Sequence, residues 1–457
     1  VKRRIIILGA GESGTGAALL AKAKGYDVFV SDFGIINEAN KAKLVQAEIP
    51  FEEGKHTEEL ILNAHKIIKS PGIATSVEIV QKAFAKNIPL IDELEFASKY
   101  TKGKIIAITG TNGKSTTTML TYHILKEAGL SVGLGGNIGK SMAGQLISQD
   151  YDWWVLECSS FQIDGFVDFK PHIALLLNIT PDHLDRYDYK VENYVASKFS
   201  LFKNQDKADY ALLYTEDNLI KANLAKHQFA SKLLELKFED IPYEGAYANP
   251  SGIIINLNEQ RHTFSQDLLT IKGKHNQTNA MASILTSKLA KIKNERIADS
   301  LPKFKSIQHR LESVGSIHGI EFINDSKATN VDAVYYALDA FTRPIIWIVG
   351  GVDKGNDYSQ LDVVSTNVKA IICLGKDNTK IKEHFKNRCP IIEETQSMEE
   401  AVKMGYKLSK DREIVLLSPA CASFDLYKNY EDRGNQFRLA FQLLEREIEL
   451  KKLSQSC

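Results

Sequence analysis

Ile105-Ile106-Ala107-Ile108-Thr109-Gly110-Thr111-Asn112-Gly113-Lys114-Ser115-Thr116-Thr117 is the stretch that decides the fold class. Ile105–Thr109 reads as a buried strand, and the run from Lys114 to about Ala128 as a helix. A glycine-rich turn between the two offers backbone N–H groups at a helix N-terminus, where phosphate oxygens are attracted. Gly110, Thr111, Asn112, Gly113, Lys114, Ser115 and Thr116 form that turn. Lys114 is placed for the β- and γ-phosphates of ATP, and the Ser115 hydroxyl for Mg²⁺. The spacing departs from the usual phosphate loop, because Ile108 stands where its first glycine is expected. The bland alternative is a chance Gly-Lys-Ser after a buried strand.

Outward from this loop, apolar runs and helix-like periodic segments alternate, which predicts parallel α/β layers. Strands are expected at Arg4–Leu8, Val28–Ser31, His65–Lys69, Trp153–Glu157, Ile173–Asn178, Ile345–Val349, Ala370–Leu374 and Ile414–Ser418. Helices are expected over about Ser76–Lys86, Val191–Phe202 and His275–Lys291, with a last one from about Gln436. A length of 457 residues, at roughly 150 per domain, suggests three domains. The polar stretch Tyr100–Lys104 and the pair Leu301-Pro302 place them at 1–100, 101–301 and 302–457.

Composition narrows the function class. Lys+Arg and Asp+Glu are both 57, so no basic excess marks a nucleic-acid binder. No apolar stretch approaches 18 residues, so no membrane span is expected, and Gly9 and Glu12 cut the first apolar run too short for a signal peptide. Cys158, Cys373, Cys389, Cys421 and Cys457 lie far apart without metal-site spacing, which fits free thiols in a reducing, cytoplasmic setting. A monomer is the default, since no oligomerisation signal is visible.

Other segments carry chemistry, each with a plainer reading beside it. Gly9-Ala10-Gly11-Glu12-Ser13-Gly14 follows a strand and opens a helix, and Asp32 ends the next strand. This is a diphosphate turn with a ribose acceptor, equally suited to NAD or a UDP-sugar, or else a tight turn with no ligand. Glu157 ends the strand Trp153–Glu157 and is a natural Mg²⁺ ligand near a phosphate loop, or a solvated strand end. His183, in Thr180–Arg186, could sit by a metal or position a substrate, or do neither. Lys198 falls on the apolar stripe of its helix with Val191, Val195 and Phe202. An ammonium there is costly to bury, so Lys198 is altered or paired inside a site, unless its head snorkels to water. His275-Asn276 and Asn279 open a helix and could meet an adenine edge or merely cap it. Asn324–Asn330 is an anion site or a polar turn, and Ser418–Ser423 again lies at a strand's carboxyl end.

Together these segments resemble the Mur ligase family over nearly the whole chain. The resemblance rests on G-T-N-G-K-S-T-T at 110–117, E-C-S-S-F-Q at 157–162, N-I-T-P-D-H-L-D-R-Y at 178–187, A-S-K at 196–198 and G-K-H-N-Q-T-N at 273–279. H-R at 309–310, N-D-S-K-A-T-N at 324–330, S-P-A-C-A-S-F-D at 418–425 and R-G at 433–434 complete it, and the last long motifs point to the D-glutamate-adding branch. It implies a Rossmann-like N-terminal domain, a central ATPase sheet and a Rossmann-like C-terminal domain. It implies that ATP converts the carboxylate of UDP-N-acetylmuramoyl-L-alanine to an acyl phosphate, which the amine of D-glutamate attacks.

The same resemblance implies roles for single residues. Lys114, Glu157, His183 and Lys198 would be catalytic, with Ser115 and Glu157 serving one Mg²⁺. Lys198, carried as a carbamate, would serve a second Mg²⁺ with His183 near it. Asn276, Asn279, Arg310 and Asp325 would contact ATP; Ser13, Asp32, Ser70, Gly72, Asn137 and Ser159 the UDP-substrate; Lys327, Thr329, Lys354, Ser423 and Tyr430 D-glutamate. Phe33-Gly34 and Tyr430 depart from the pattern expected in some members, and Glu12, an acid beside a diphosphate turn, is expected to point away. The competing readings are another Mur ligase or a folylpolyglutamate synthase, an NAD-dependent dehydrogenase, and a non-catalytic nucleotide-binding regulator.

Overall fold

Ile5, Ile6, Ile7 and Leu8 are all buried, as are Ile105–Thr109 and Ile345–Val349. Strands covered on both faces need such unbroken apolar runs, and parallel sheets are the usual setting. The computed structural model describes residues 3–271, 273–305 and 308–455, with side chains through residue 450. Three sheets account for these runs. The first has the order Phe51–Glu53, Asp27–Asp32, Arg4–Leu8, Lys66–Lys69, Leu90–Ile91, all parallel. The second has nine strands: Gln260–Ser265, Gly252–Leu257, Gly245–Asn249, Lys232–Lys237, Tyr210–Tyr214, Ile173–Leu176, Lys104–Thr109, Trp153–Glu157 and Val132–Gly136. The third has the order Glu312–Ile317, Ile320–Asn324, Ile414–Leu417, Ile345–Val349, Val368–Leu374, Ile392–Thr395.

The first two sheets belong to one compact unit, which runs through Thr270 and resumes at Lys274–Phe304; the described residues from Lys305 onward make a second. Inside the first unit, the short helix Glu93–Ser98 is a clamp. Glu93 Oε1 accepts hydrogen bonds from Ser141 Oγ (2.7 Å) and the Ala143 N–H (2.6 Å). Glu95 Oε2 accepts the N–H groups of Val167, Asp168 and Phe169 at 3.0, 3.0 and 2.7 Å. Both acids are buried. These hydrogen bonds fasten the first sheet to the loops of the second.

Several expected ends shift: the strand from Ile173 stops at Leu176 and the one ending at Leu374 begins at Val368. The last helix starts at Tyr430, six residues before Gln436, because its first turns are polar and show no apolar period. The helix from Val191 is α-helical to Phe199 and finishes as a 3₁₀ turn over Ser200–Phe202. The strands between Tyr210 and Ser265 were not expected at all; Gln260–Ser265 is mostly exposed and Lys232–Lys237 mixes lysines with leucines, so neither shows a clean buried run. Among the described residues no helix is long and apolar enough to cross a membrane.

Candidate active site

The phosphate loop is built by glycine and by a neighbouring asparagine. Gly113 adopts φ +82°, a left-handed conformation open to glycine, and a Cβ there would overlap Asn279 Oδ1. Asn178, just past the strand Ile173–Leu176, pins the turn from the side: its Oδ1 accepts the Asn112 N–H (2.8 Å) and its Nδ2 donates to the Asn112 carbonyl (3.0 Å). The Asn178 carbonyl accepts the Thr111 N–H at 3.0 Å. Lys114 Nζ donates to the loop's own carbonyls, Gly110 O at 2.8 Å and Thr111 O at 2.7 Å. Ser115 and Thr116 are buried in the first helical turn. Asn279 accepts from Thr117 Oγ1 (3.1 Å) and donates to Asn276 Oδ1 (3.0 Å), so both amides of this second helix are tied to the loop's floor.

Next to the loop lie an acid and a lysine, both almost fully buried. Glu157 is 2% exposed; its Oε1 accepts from Asn137 Nδ2 (2.8 Å) and its Oε2 has no hydrogen-bond partner among the described residues. A buried carboxylate oxygen without a donor is the unmet valence a cation would satisfy. Lys198 is 1% exposed; Nζ donates to Gly110 O (2.9 Å) and lies 4.6 Å from the centre of the Tyr194 ring. Burial, with the neighbouring Lys114 charge, holds the amine well below the usual lysine range against the pull of Asp182 and Asp164. The stripe position therefore marks a truly buried amine and not a snorkelling one. Tyr194, which donates to or accepts from Thr111 Oγ1 at 3.2 Å, joins this group, as does Asp182.

His183 opens the 3₁₀ turn Leu184–Arg186 with φ +53°. Its ring rests against Phe161 (5.1 Å between centres) and its Nε2 is 3.6 Å from Asp182 Oδ2. Among the described residues no three His, Cys, Asp or Glu side chains are placed to hold a metal ion together. A magnesium ion that draws most of its oxygens from phosphates and water needs no such cage.

The crevice of the first sheet is fixed by its topology. Strand order reverses between Arg4–Leu8 and Lys66–Lys69, and ligands of open α/β sheets bind outside the carboxyl ends at such a switch. The turn Gly9–Gly14 and the loop Ser70–Ile73 follow those two strands. A Cβ at Gly9 would overlap Ser70 Oγ, and Ser70 Oγ donates to Gly9 O (3.4 Å), so the two loops touch. Asp32 braces the turn: Oδ2 accepts the Ala10 N–H (2.6 Å) and Oδ1 the Gly34 N–H (2.8 Å). Glu12 faces the Ser141 N–H (3.4 Å) and Lys43 (3.8 Å). Ser13 is half-buried in the first helical turn and Gly72 is exposed. Ser159 caps the helix Ser160–Ile163 in a reciprocal pair with Gln162, immediately after Glu157 and Cys158.

In the second unit, three loops leave neighbouring strands at one edge and are gathered by Arg433. This guanidinium is 1% exposed. It donates to Ser326 Oγ (3.1 Å), Ser326 O (3.0 Å), Gly350 O (3.4 Å) and twice to Cys421 O (3.1 Å each). Burial lowers it to about 10. Gly434 follows because His309 packs on it; a Cβ would overlap the imidazole. Asp325 is buried, accepts from Ser418 Oγ (2.8 Å) and the Leu311 N–H (3.2 Å), and is pushed up to about 7 by burial, with Arg310 opposing. Arg310 Nε has no hydrogen-bond partner among the described residues. Lys327 lies 5.2 Å from the Tyr430 ring centre; Ser423 is buried, Thr329 half-buried and Lys354 exposed.

Comparison with known proteins bears on what this arrangement is. Family profiles match three successive segments: the Mur ligase MurD-like N-terminal domain at residues 3–92, the Mur ligase middle domain at 108–287, and the Mur ligase glutamate ligase domain at 309–421. The chain belongs to the Mur ligase family. A UDP-N-acetylmuramoylalanine--D-glutamate ligase of Christiangramia forsetii is 49% identical over 97% of this chain and 100% of its own length. One from Cytophaga hutchinsonii is 50% identical over 96% of this chain and 98% of its own. Among solved structures, a UDP-N-acetylmuramate-alanine ligase of Thermotoga maritima shares the fold with a TM-score of 0.61 and 18% identity, covering 96% of this chain and 99% of that one. A MurF ligase of Thermotoga maritima in complex with ADP does so with a TM-score of 0.60 and 14% identity, covering 98% and 99%.

Several working residues of this Mur ligase escaped sequence reading. Asn178 and Asp182 lay inside a motif already quoted, but nothing in their spacing says which side chain turns back on the loop. Glu93 and Glu95 look like solvated helix charges until burial is known. Arg433 was read only as part of a motif, and its signal, a lone arginine before glycine, carries no period.

Proposed function

We propose that this chain is an ATP-dependent, ADP-forming ligase that joins D-glutamate to UDP-N-acetylmuramoyl-L-alanine, in cytoplasmic synthesis of peptidoglycan precursor. The relatives at 46–50% identity carry that activity in their names and match over nearly the full chain, which supports the reading. The observation that carries it is Lys198: a buried amine of lowered pKa whose hydrogen bond goes to Gly110, the first residue of the phosphate loop. An amine kept neutral is the form that adds to CO₂, so burial prepares Lys198 to become a carbamate, and the misplaced cation becomes a carboxylate.

In this reading the segment 1–100 holds the nucleotide sugar at the switch-point crevice, through Ser13, Asp32, Ser70 and Gly72, with Asn137 and Ser159 from the adjoining sheet. The segment 101–301 holds ATP through Gly110–Thr116, Asn276 and Asn279. Arg310 and Asp325 of the segment 302–457 serve ATP as well, and Lys327, Thr329, Lys354, Ser423 and Tyr430 serve D-glutamate. Mg²⁺ fits the donor set, since Glu157 Oε2 is buried without a hydrogen-bond partner among the described residues and Ser115 supplies a hydroxyl in the loop. Ser115 and Glu157 would hold one ion and the Lys198 carbamate, with His183 near it, a second, and both would neutralise phosphate charge.

The chain's own groups then do the following. The loop N–H groups and Lys114 orient the γ-phosphoryl group, and Lys114 leaves the carbonyls of Gly110 and Thr111 to do so. A carboxylate oxygen of the donor bonds to the γ-phosphorus as the bond to ADP breaks. The D-glutamate amine attacks the acyl carbon, phosphate departs and the amine loses a proton. Positioning supplies most of the acceleration. The test is phosphate release by the purified protein with ATP, Mg²⁺, the nucleotide-sugar donor and each of a panel of amino acids. D-glutamate should give ADP and the amide. Turnover with lysine or diaminopimelate but not D-glutamate, or none with any amine, overturns the assignment.

A further inference from the structure

Behind the Ser70–Ile73 loop lies a cluster of four ionisable side chains that no step above uses. Lys69, at the end of the strand Lys66–Lys69, and Arg186, at the end of the 3₁₀ turn Leu184–Arg186, stand with Asp92 and Asp164 around a cavity of about 100 Å³. Lys69 Nζ donates to Ser70 O (3.2 Å) and Ile73 O (2.8 Å). Arg186 donates to Pro71 O (3.3 Å), Gly72 O (3.4 Å) and Ile73 O (3.3 Å). Every carbonyl of the loop is thus held by a cation. Arg186 is fixed in turn, its guanidinium 4.4 Å from the centre of Phe161, the ring against which His183 rests. Asp92 is 1% exposed, and burial with the neighbouring Glu93 pushes its carboxyl well above the usual range, with Lys69 opposing. Asp164 is tied by Tyr187 Oη at 2.9 Å.

Pro71 has no N–H to turn outward and the Ile73 N–H donates to Ser70 O (3.1 Å), so what the two cations supply is a fixed loop shape. A loop with an exposed glycine and no regular structure would otherwise sample many conformations, each costing entropy to select on binding.

We propose that Lys69 and Arg186 are positioning residues for the nucleotide-sugar donor: from behind, without touching it, they set the Ser70–Ile73 loop in its binding shape. This rests on the donor assignment made under Proposed function. It also gives the sequence D-H-L-D-R a structural purpose, since one short turn carries His183 at its start and the loop's anchor at its end.

The test uses the full-length enzyme with Lys69→Met, Lys69→Arg, Arg186→Met and Arg186→Lys. Each substrate is varied in turn, and donor binding without ATP is followed by calorimetry. The methionine variants should raise KM and Kd for the donor by about tenfold or more, as loss of charge-assisted bonds implies. Meanwhile kcat and the KM values for ATP and D-glutamate should move by less than about threefold. Lys69→Arg should recover most of the donor affinity. Arg186→Lys should recover less, because an ammonium cannot span three carbonyls and stack on a ring. Donor affinity unchanged in both methionine variants overturns the proposal, as does a parallel loss for all three substrates with a lowered melting temperature. If a methionine variant fails to fold, the Arg186→Lys enzyme decides by the same split. A wild-type enzyme that does not turn over the donor breaks the functional assignment instead, and calorimetry with UDP alone then reads the loop.

Discussion

Lys198 and Arg433 are buried to the same depth, and the difference between them separates chemistry from architecture. Neither has a carboxylate partner at hydrogen-bond distance among the described residues. Arg433 spreads its donors over a hydroxyl and three backbone carbonyls and stays charged, lowered only to about 10. Lys198 has one carbonyl and the face of a tyrosine ring, and burial holds its amine well below the usual lysine range. A guanidinium with all its donors engaged is a tie for three loops. An amine with donors to spare in a dry site is poised to change its covalent state.

The largest effect that could break this contrast is on turnover. Lys198→Arg keeps a long basic side chain but cannot form a carbamate, and activity should fall by roughly a thousandfold or more while ATP still binds. Labelled bicarbonate should give a carbamate signal in the wild type that this variant lacks. Near-normal rates in Lys198→Arg would place the two cations in one class.

A smaller effect should appear in stability. Arg433→Lys offers one compact charge in place of a fork, and leaves carbonyls of Cys421 and Ser326 without donors. Urea unfolding of the second unit's transition should show a loss of about 3 kcal/mol. A loss under half that would mean water replaces the guanidinium and the tie is dispensable.

The smallest effect concerns a buried charge of opposite sign. Glu93 is raised to about 7, chiefly by burial, from an ordinary value of 4.5. The folded protein therefore binds more protons than the unfolded chain between those values. The stabilisation is complete below about 4.5 and is lost as pH rises through about 7. Glu93→Gln keeps an acceptor for Ser141 and Ala143 and removes the titration. Its unfolding free energy should match the wild type near pH 5 and exceed it by about 1–2 kcal/mol near pH 8. An identical pH dependence in the two proteins would show that Glu93 is ionised throughout.

The legible part of this molecule was the part written in unbroken apolar runs and glycine turns. The strands Arg4–Leu8, Trp153–Glu157 and Ile345–Val349 have the ends expected of them, because a doubly covered strand has no polar position to blur it. Lys198 could be singled out because a charge on an apolar stripe violates a local rule. Gln260–Ser265 was hidden because an edge strand keeps polar residues on one face, and Lys232–Lys237 because lysines and a glutamate interrupt its leucines. Glu95, Asn178 and Arg433 were hidden for another reason: each bonds to backbone groups of distant loops, and a peptide N–H or C=O leaves no mark in the sequence.

That last point bears on how the seam between the first two sheets can change. Glu95 grips three successive peptide groups at Val167, Asp168 and Phe169 and asks nothing of their side chains. Mutational drift at the exposed Val167 and Asp168 should be wide, with proline barred because it has no hydrogen to offer, while Phe169 is held by its place in the core. The acid, by contrast, has no substitute that is both as long and as charged.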